Sequence, residues 1–286
     1  MVIEMRTTNK IFILIGLLVF IFGIGGYLGF KQIRKTTYPR VNGVPTIYLH
    51  GWGASGQSTN SMIMYAQKYA HAQKVLTVVV PKKGQPYVKG EWTTGVARPL
   101  IQIVFKDNKE SNYQLTSGWL KKVMVLLKTR YHVNRFNAVA HSMGNLTLMY
   151  YELNYGRNKK LPQLRKEVNL AGHFDGIIGI DDKPNRNSLL KNGKPRFINK
   201  YYRYQLAQRH SFPANQVAIL NIFGNMEDGS NSDGDVTRVS ARSLKYLLRG
   251  QYKSYHEIEI KGPNAQHSKL HENNRVNKII NDFLWD

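Results

Sequence analysis

Cysteine is absent from the 286 residues. That excludes disulfides, thiolate nucleophiles and Cys-based metal or redox sites, and it fits either side of a membrane. Acidic residues are scarce as well: 18 Asp+Glu face 41 Lys+Arg, a formal net charge of +23. Residues 1–40 hold six of the basic residues (Arg6, Lys10, Lys31, Arg34, Lys35, Arg40) and one acid, Glu4. The excess therefore belongs to the body of the chain. A surface this basic attracts polyanions: nucleic acid, anionic lipid or an acidic cell-wall polymer. No helix-turn-helix, zinc-finger or RRM signature accompanies the charge, so no nucleic-acid partner is expected. Internal repeats and low-complexity tracts are lacking, apart from one apolar run.

That run, Ile11 to Phe30, holds 20 uncharged residues bracketed by Lys10 and Lys31. At about 1.5 Å per residue a helix of this length crosses the roughly 30 Å hydrocarbon core of a bilayer. It is apolar on every face, unlike a surface helix, and no A-x-A cleavage pattern follows it. The sequence thus predicts a flank over 1–10, an uncleaved single-pass transmembrane anchor over 11–30, a basic linker over 31–44 and a globular domain over 45–286. Lys31, Arg34, Lys35 and Arg40 outnumber Arg6 and Lys10, and the positive-inside rule alone would leave the domain in the cytoplasm.

Within the domain, strand and helix patterns alternate. Strands are predicted at Pro45–His50, Val75–Val80, Leu100–Phe105, Phe136–His141, Gly176–Ile180, Val217–Phe223 and Ile258–Lys261. Helices are predicted at Ser58–Gln73, Asn112–Tyr131, Asn145–Leu153 and Val276–Leu284. Such alternation argues for an α/β fold with a mostly parallel sheet flanked by helices.

Three local patterns carry chemistry. Ala140-His141-Ser142-Met143-Gly144 lies between the apolar strand FNAVA and the helix NLTLMYY. This is the setting of a nucleophile elbow, in which the serine occupies a strained turn at the end of a strand. His50-Gly51-Trp52-Gly53 follows the first strand of the domain. Its position suits an oxyanion donor, Trp52 or Gly53 with Trp52 preferred, beside the amide of Met143. The base of such a triad follows the last strand, where His267 and His271 stand. His267, in the loop, is the better placed; His271 falls nearer the next helix. The acid follows the penultimate strand, in the loop Gly224–Val236. Of its four carboxylates Asp233 fits best, with the form D-G-x-V, ahead of Asp235 and Asp228. Clustered Asp, Asn and Gly oxygens can also bind Ca²⁺, but the spacing does not match an EF-hand. No metal or organic cofactor is required.

Together AHSMGN, HGWG, EDGSNSDGDV and NAQHSKLHEN…FLW resemble the uncharacterised cell-surface α/β hydrolases of Gram-positive bacteria, over roughly residues 40–286. The resemblance implies an α/β-hydrolase fold, Ser142, Asp233 and His267 as the triad, and a membrane-anchored, extracellular placement. It supplies no substrate. Ala140 replaces the usual glycine of the elbow.

No acidic residue occurs between Asp182 and Glu227, whereas Lys183, Arg186, Lys191, Lys194, Arg196, Lys200, Arg203 and Arg209 do. Phe197, Tyr201, Tyr202 and Tyr204 are interleaved with them. A lid insertion is expected at about 183–213, meeting an anionic lipid or wall polymer, with a solvated basic helix as the plain alternative. The expected activity is hydrolysis of a small-molecule or lipid carboxylic ester through an acyl-enzyme. An amidase or acyltransferase would use the same triad, and a non-catalytic wall- or lipid-binding module could keep the scaffold.

Overall fold

A computed structural model describes residues 43–286. The predicted flank and anchor over 1–30, and the linker up to residue 42, lie outside the described residues. Among the described residues no helix is long and apolar enough to cross a membrane.

The chain runs β1 (Thr46–Leu49), α1 (Gln57–Tyr69), β2 (Gln73–Val80), β3 (Tyr87–Lys89), β4 (Pro99–Phe105), α2 (Tyr113–Tyr131), β5 (Arg135–His141) and α3 (Met143–Tyr155). It continues through β6 (Gln163–Leu170), α4 (Lys200–Gln208), β7 (Ala218–Asn225), α5 (Arg238–Leu247), β8 (Ser254–Lys261), the single turn α6 (His267–Leu270) and α7 (Asn274–Trp285). Eight strands form one sheet in the order β3-β2-β4-β1-β5-β6-β7-β8. Only β3 is antiparallel, pairing with β2 at one edge.

β1 and β5 lie side by side near the centre, with Leu49 opposite Ala140. Their turns therefore emerge next to each other at the carboxyl end of the sheet. Both strands are almost wholly buried because helices cover both faces, the usual condition of a parallel sheet. One face packs α2 and α3 through Trp119, Leu120, Val123, Leu146 and Met149. The other packs α1 and α7 through Met62, Ile63, Val276 and Ile280. Burying each of these side chains contributes about 1.5–3 kcal/mol. α2 begins where the Asn112 side chain accepts the amides of Gln114 and Leu115, and it stops at His132, whose φ is 56°.

Three predicted elements need correction. The helix expected over Ser58–Gln73 stops at Tyr69, and Gln73 already opens β2. Gly176–Ile180 is not a strand but a turn, with Gly176 at φ 114° and Gly179 at φ 84°. Its expected place in the sheet belongs to β6, QLRKEVNL, whose Arg165, Lys166 and Glu167 hide the strand pattern. The last strand begins at Ser254, earlier than Ile258, because an edge strand tolerates His256 and Glu257. The segment 183–213 lies between β6 and β7, irregular up to α4.

Glu152 of α3 and Glu167 of β6 are both buried. Burial raises both carboxyls above their ordinary value of 4.5, Glu167 to about 7, and for Glu152 the charge of Glu167 adds to the effect. The native state therefore holds protons that the unfolded chain releases, and stability declines as pH rises from about 4.5 through about 7. Melting temperature is expected to fall between pH 5 and pH 8. In the Glu152→Gln/Glu167→Gln double variant most of that slope disappears, at about 2–4 °C per kcal/mol. Equal slopes in the two proteins would refute the assignment.

Candidate active site

The end of β5 turns sharply at Ser142, which has φ 52° and ψ −121°. A non-glycine residue there costs on the order of 1–3 kcal/mol and persists only when its surroundings fix it. They do. Ser142 N–H donates to Leu170 O (3.0 Å), and Ser142 O accepts from both the amide and the side chain of Asn145 (3.0 Å each). Asn145 Nδ2 also donates to Leu170 O (3.0 Å), tying α3 to β6.

Glycines bring the neighbouring turn against this one. A Cβ on Gly144 would lie 2.9 Å from Leu49 O, and one on Gly51 would lie 3.0 Å from Ser142 Cβ. His50 braces the turn from beneath. Its Nε2 accepts the amide of Phe105 (3.0 Å), so Nδ1 carries the proton and donates to Gly51 O (2.8 Å). Burial keeps this imidazole below its ordinary pKa, in its neutral form. The sequence offered His50 only as part of a turn motif; its bracing role appears once Phe105 is seen beside it.

Within the turn, Gly53 N–H donates to Asn108 O (2.7 Å). That leaves Trp52 as the amide available to an oxyanion. Met143 is the first residue of α3, where an amide has no partner within its own helix. The Trp52 indole donates to Lys109 O (3.0 Å), fixing the turn to the loop after β4.

Asp233 comes from the loop beyond β7, and His267 opens the single turn α6 beyond β8. Asp233 is 1% exposed. Its Oδ1 accepts the amides of Asp235 (3.0 Å) and Val236 (2.7 Å), which aims Oδ2 at His267. His267 Nδ1 donates to Oδ2 (2.9 Å). Because the carboxylate only accepts, the proton sits on Nδ1 and the bare Nε2 accepts Ser142 Oγ–H (2.9 Å). A backbone bond, His267 N–H to Asp233 O (2.8 Å), runs beside the side-chain one. Gly224 makes room for this crossing: a Cβ there would lie 2.1 Å from Ala265 O. Burial lowers the His267 pKa, but the hydrogen bond to Asp233 and the charges of Asp233 and Asp235 outweigh it, so the net direction is upward.

The structure thus brings Ser142, His267 and Asp233 together and places Trp52 and Met143 in the wall of the same pocket. The other candidates stand elsewhere in the site or outside it. Asp228 bonds to Ser230 at the surface. His271 pairs with Glu272 (2.8 Å). Asp235, 60% exposed by its side chain, lies 4.0 Å from His267 Nε2 on the open side. Among the described residues no group of three or more His, Asp or Glu is arranged to hold a metal ion.

Two further histidines flank the triad. His141 Nε2 donates to His267 O (3.2 Å), and its ring lies 4.9 Å from the His267 ring. His173 Nε2 meets Tyr113 Oη (3.0 Å). Burial, with the charge of His267 next in size, pushes His141 well down and His173 to about 3. Both are therefore neutral, and neither competes with His267 for a proton. The cavity over Ser142 has a volume of about 620 Å³, within the range of small-molecule sites. Met143, Leu146, Tyr113 and His173 form its buried end, and Trp52, Ile180 and Lys109 lie toward solvent.

Comparison with known proteins agrees with the fold. One solved structure similar to it is the lin2722 gene product of Listeria innocua, at 27% identity over 86% of this chain and 95% of that one, with a TM-score of 0.78. Another is a candidate cell surface hydrolase from Lactobacillus plantarum, at 24% identity over 86% and 92%, with a TM-score of 0.69. No curated protein matches the chain. Residues 34–286 match the family described as "Alpha/beta hydrolase of unknown function (DUF915)". The chain belongs to that family of α/β hydrolases.

Proposed function

We propose that the protein is a serine hydrolase that cleaves carboxylic esters through an acyl-enzyme. The observation that carries this reading is the unbroken relay of two 2.9 Å hydrogen bonds, Ser142 Oγ to His267 Nε2 and His267 Nδ1 to Asp233 Oδ2. Ser142 Oγ attacks the carbonyl carbon as its proton passes to Nε2. The imidazolium so formed is stabilised by Asp233, whose Oδ1 is already anchored by two amides and cannot turn away. The carbonyl oxygen gains negative charge against the amides of Trp52 and Met143. Each such donor is worth about 10²–10³ in rate. The imidazolium returns its proton to the leaving alcohol, and water repeats the sequence to release the acid.

The apolar end of the pocket, Met143, Leu146 and Tyr113, suits the hydrocarbon part of an acyl group. An amidase or acyltransferase would use the same three residues; the ratio of ester to amide turnover separates the first, and partition of the acyl-enzyme between water and an added alcohol separates the second. A binding module would need no such relay. The sequence of residues 11–30 and the naming of the Lactobacillus neighbour support a membrane-anchored domain at the cell surface.

A fluorophosphonate probe is expected to label the wild-type protein and not Ser142→Ala. Asp233→Asn is expected to keep its fold and lose on the order of 10⁴ in kcat toward activated esters. Labelling that survives Ser142→Ala would overturn the assignment of the nucleophile.

The acid limb of kcat/KM follows protonation of His267, which must be neutral to act as base. Its raised pKa places that limb above the ordinary histidine value of 6.5. Removing the charge of Asp235 lowers the pKa, so Asp235→Asn is expected to move the limb to lower pH with the triad intact. An unmoved limb would show that Asp235 does not act on His267.

Protease added outside intact cells is expected to digest the domain; protection would place it on the cytoplasmic side.

A further inference from the structure

We propose that the mouth of the Ser142 pocket docks onto an anionic lipid bilayer, so that the ester is taken from a membrane surface. The proposal rests on the ester-hydrolase reading for the choice of substrate; the docking surface itself is independent of it.

Three large apolar side chains near the mouth face solvent: Trp52 (57% exposed), Ile180 (79%) and Phe197 (54%). Trp52 and Ile180 line the pocket. Phe197 is held close by, because Asn187 Nδ2 reaches both Phe197 O (2.7 Å) and Asp175 Oδ2 (3.3 Å), while Asp175 Oδ1 accepts the amide of Asn199 in the pocket wall (2.9 Å). Clustered exposed apolar groups mark a contact surface.

The cations lie on the same rim. Lys109 Nζ stands 5.4 Å from the centre of the Trp52 ring, and Lys200 Nζ stands 4.9 Å from the centre of the Tyr201 ring. Arg196 adjoins Phe197, and the whole stretch between Asp182 and Glu227 lacks an acid. Trp and Tyr with neighbouring lysines is the composition of a membrane–water interface. Each Lys or Arg near an anionic leaflet adds about 1 kcal/mol of attraction.

Of the carboxylates near the mouth, Asp181 turns inward, accepting the amide of Ile177 (2.8 Å) and the side chain of Asn199 (2.7 Å). Asp235, 60% exposed by its side chain, faces the open side beside His267 and is outnumbered on the rim by Lys109, Arg196 and Lys200. A polyanionic wall polymer would engage the same cations but leave Trp52, Ile180 and Phe197 in water. A bilayer accepts both kinds of group at once, which is why the apolar side chains decide between them.

The test mixes the full chain with vesicles of phosphatidylcholine, with and without phosphatidylglycerol. Brominated acyl chains are expected to quench tryptophan emission when phosphatidylglycerol is present. Trp52→Phe is expected to remove most of that quenching, since Trp92 and Trp119 are buried and Trp285, half-buried at the end of α7, packs under Arg98 at the amino end of β4, away from the mouth. This readout needs no catalysis, so it stands or falls separately from the ester reading. Phe197→Asp/Lys200→Glu is expected to lower turnover of a long-chain ester held in the vesicles about tenfold or more, leaving a soluble short-chain ester unchanged. Quenching that is absent, or unaffected by Trp52→Phe, would overturn the proposal. So would an equal loss on both esters. Loss of wall-polymer binding in the double variant, with vesicle turnover intact, would overturn it in favour of the polymer.

Discussion

The site depends on one backbone conformation, the left-handed turn at Ser142. A strained residue relaxes unless its neighbours hold it, and here three contacts do so at once: Leu170 O, Asn145 and the pressing turn at Gly51. β6 supplies the first, α3 the second and β1 the third. The serine is therefore positioned by the centre of the sheet and not by its own loop. The bare glycines at 51 and 144 are the condition for that closeness. A methyl group at either would push β1 and the elbow apart.

Electrostatics at the site follow from the same compactness. Five histidines line or brace the region, yet only His267 is driven toward the protonated form. His50, His141 and His173 are too deeply buried to carry charge. Their nitrogens instead hold backbone or tyrosine oxygens and fix the turns around the pocket. In a chain with so many cations, a charged histidine beside His267 would oppose the imidazolium that the proposed chemistry requires. Burial prevents this without a dedicated counter-ion.

Much of this was legible in the sequence, and the reasons for what was not are specific. Ser142, Asp233 and His267 could be picked out because each sits in a short motif, in the chain order the fold demands. The preference for Trp52 over Gly53 could be stated from the sequence, but its physical ground, the Asn108 carbonyl that takes the Gly53 amide, lies more than fifty residues away. β6 was hidden because buried Glu167 breaks the apolar pattern that marks a central strand. Gly176–Ile180 imitated a strand by composition, while its glycines in fact make a turn. Asp235 was ranked as a rival acid. Its nearness to His267 from the open side, as a neighbouring charge, belongs to three-dimensional placement alone.

The double attachment between Asp233 and His267 has a further meaning. One bond joins their side chains and another joins their backbones. The backbone bond makes no use of the imidazole, and the loop is also seated against Gly224. The loop at 267 is thus a socket whose shape is independent of the plug. Substitution at this one position can alter reactivity while the architecture persists, so a member of the family could abandon hydrolysis and keep the same pocket as a receptor.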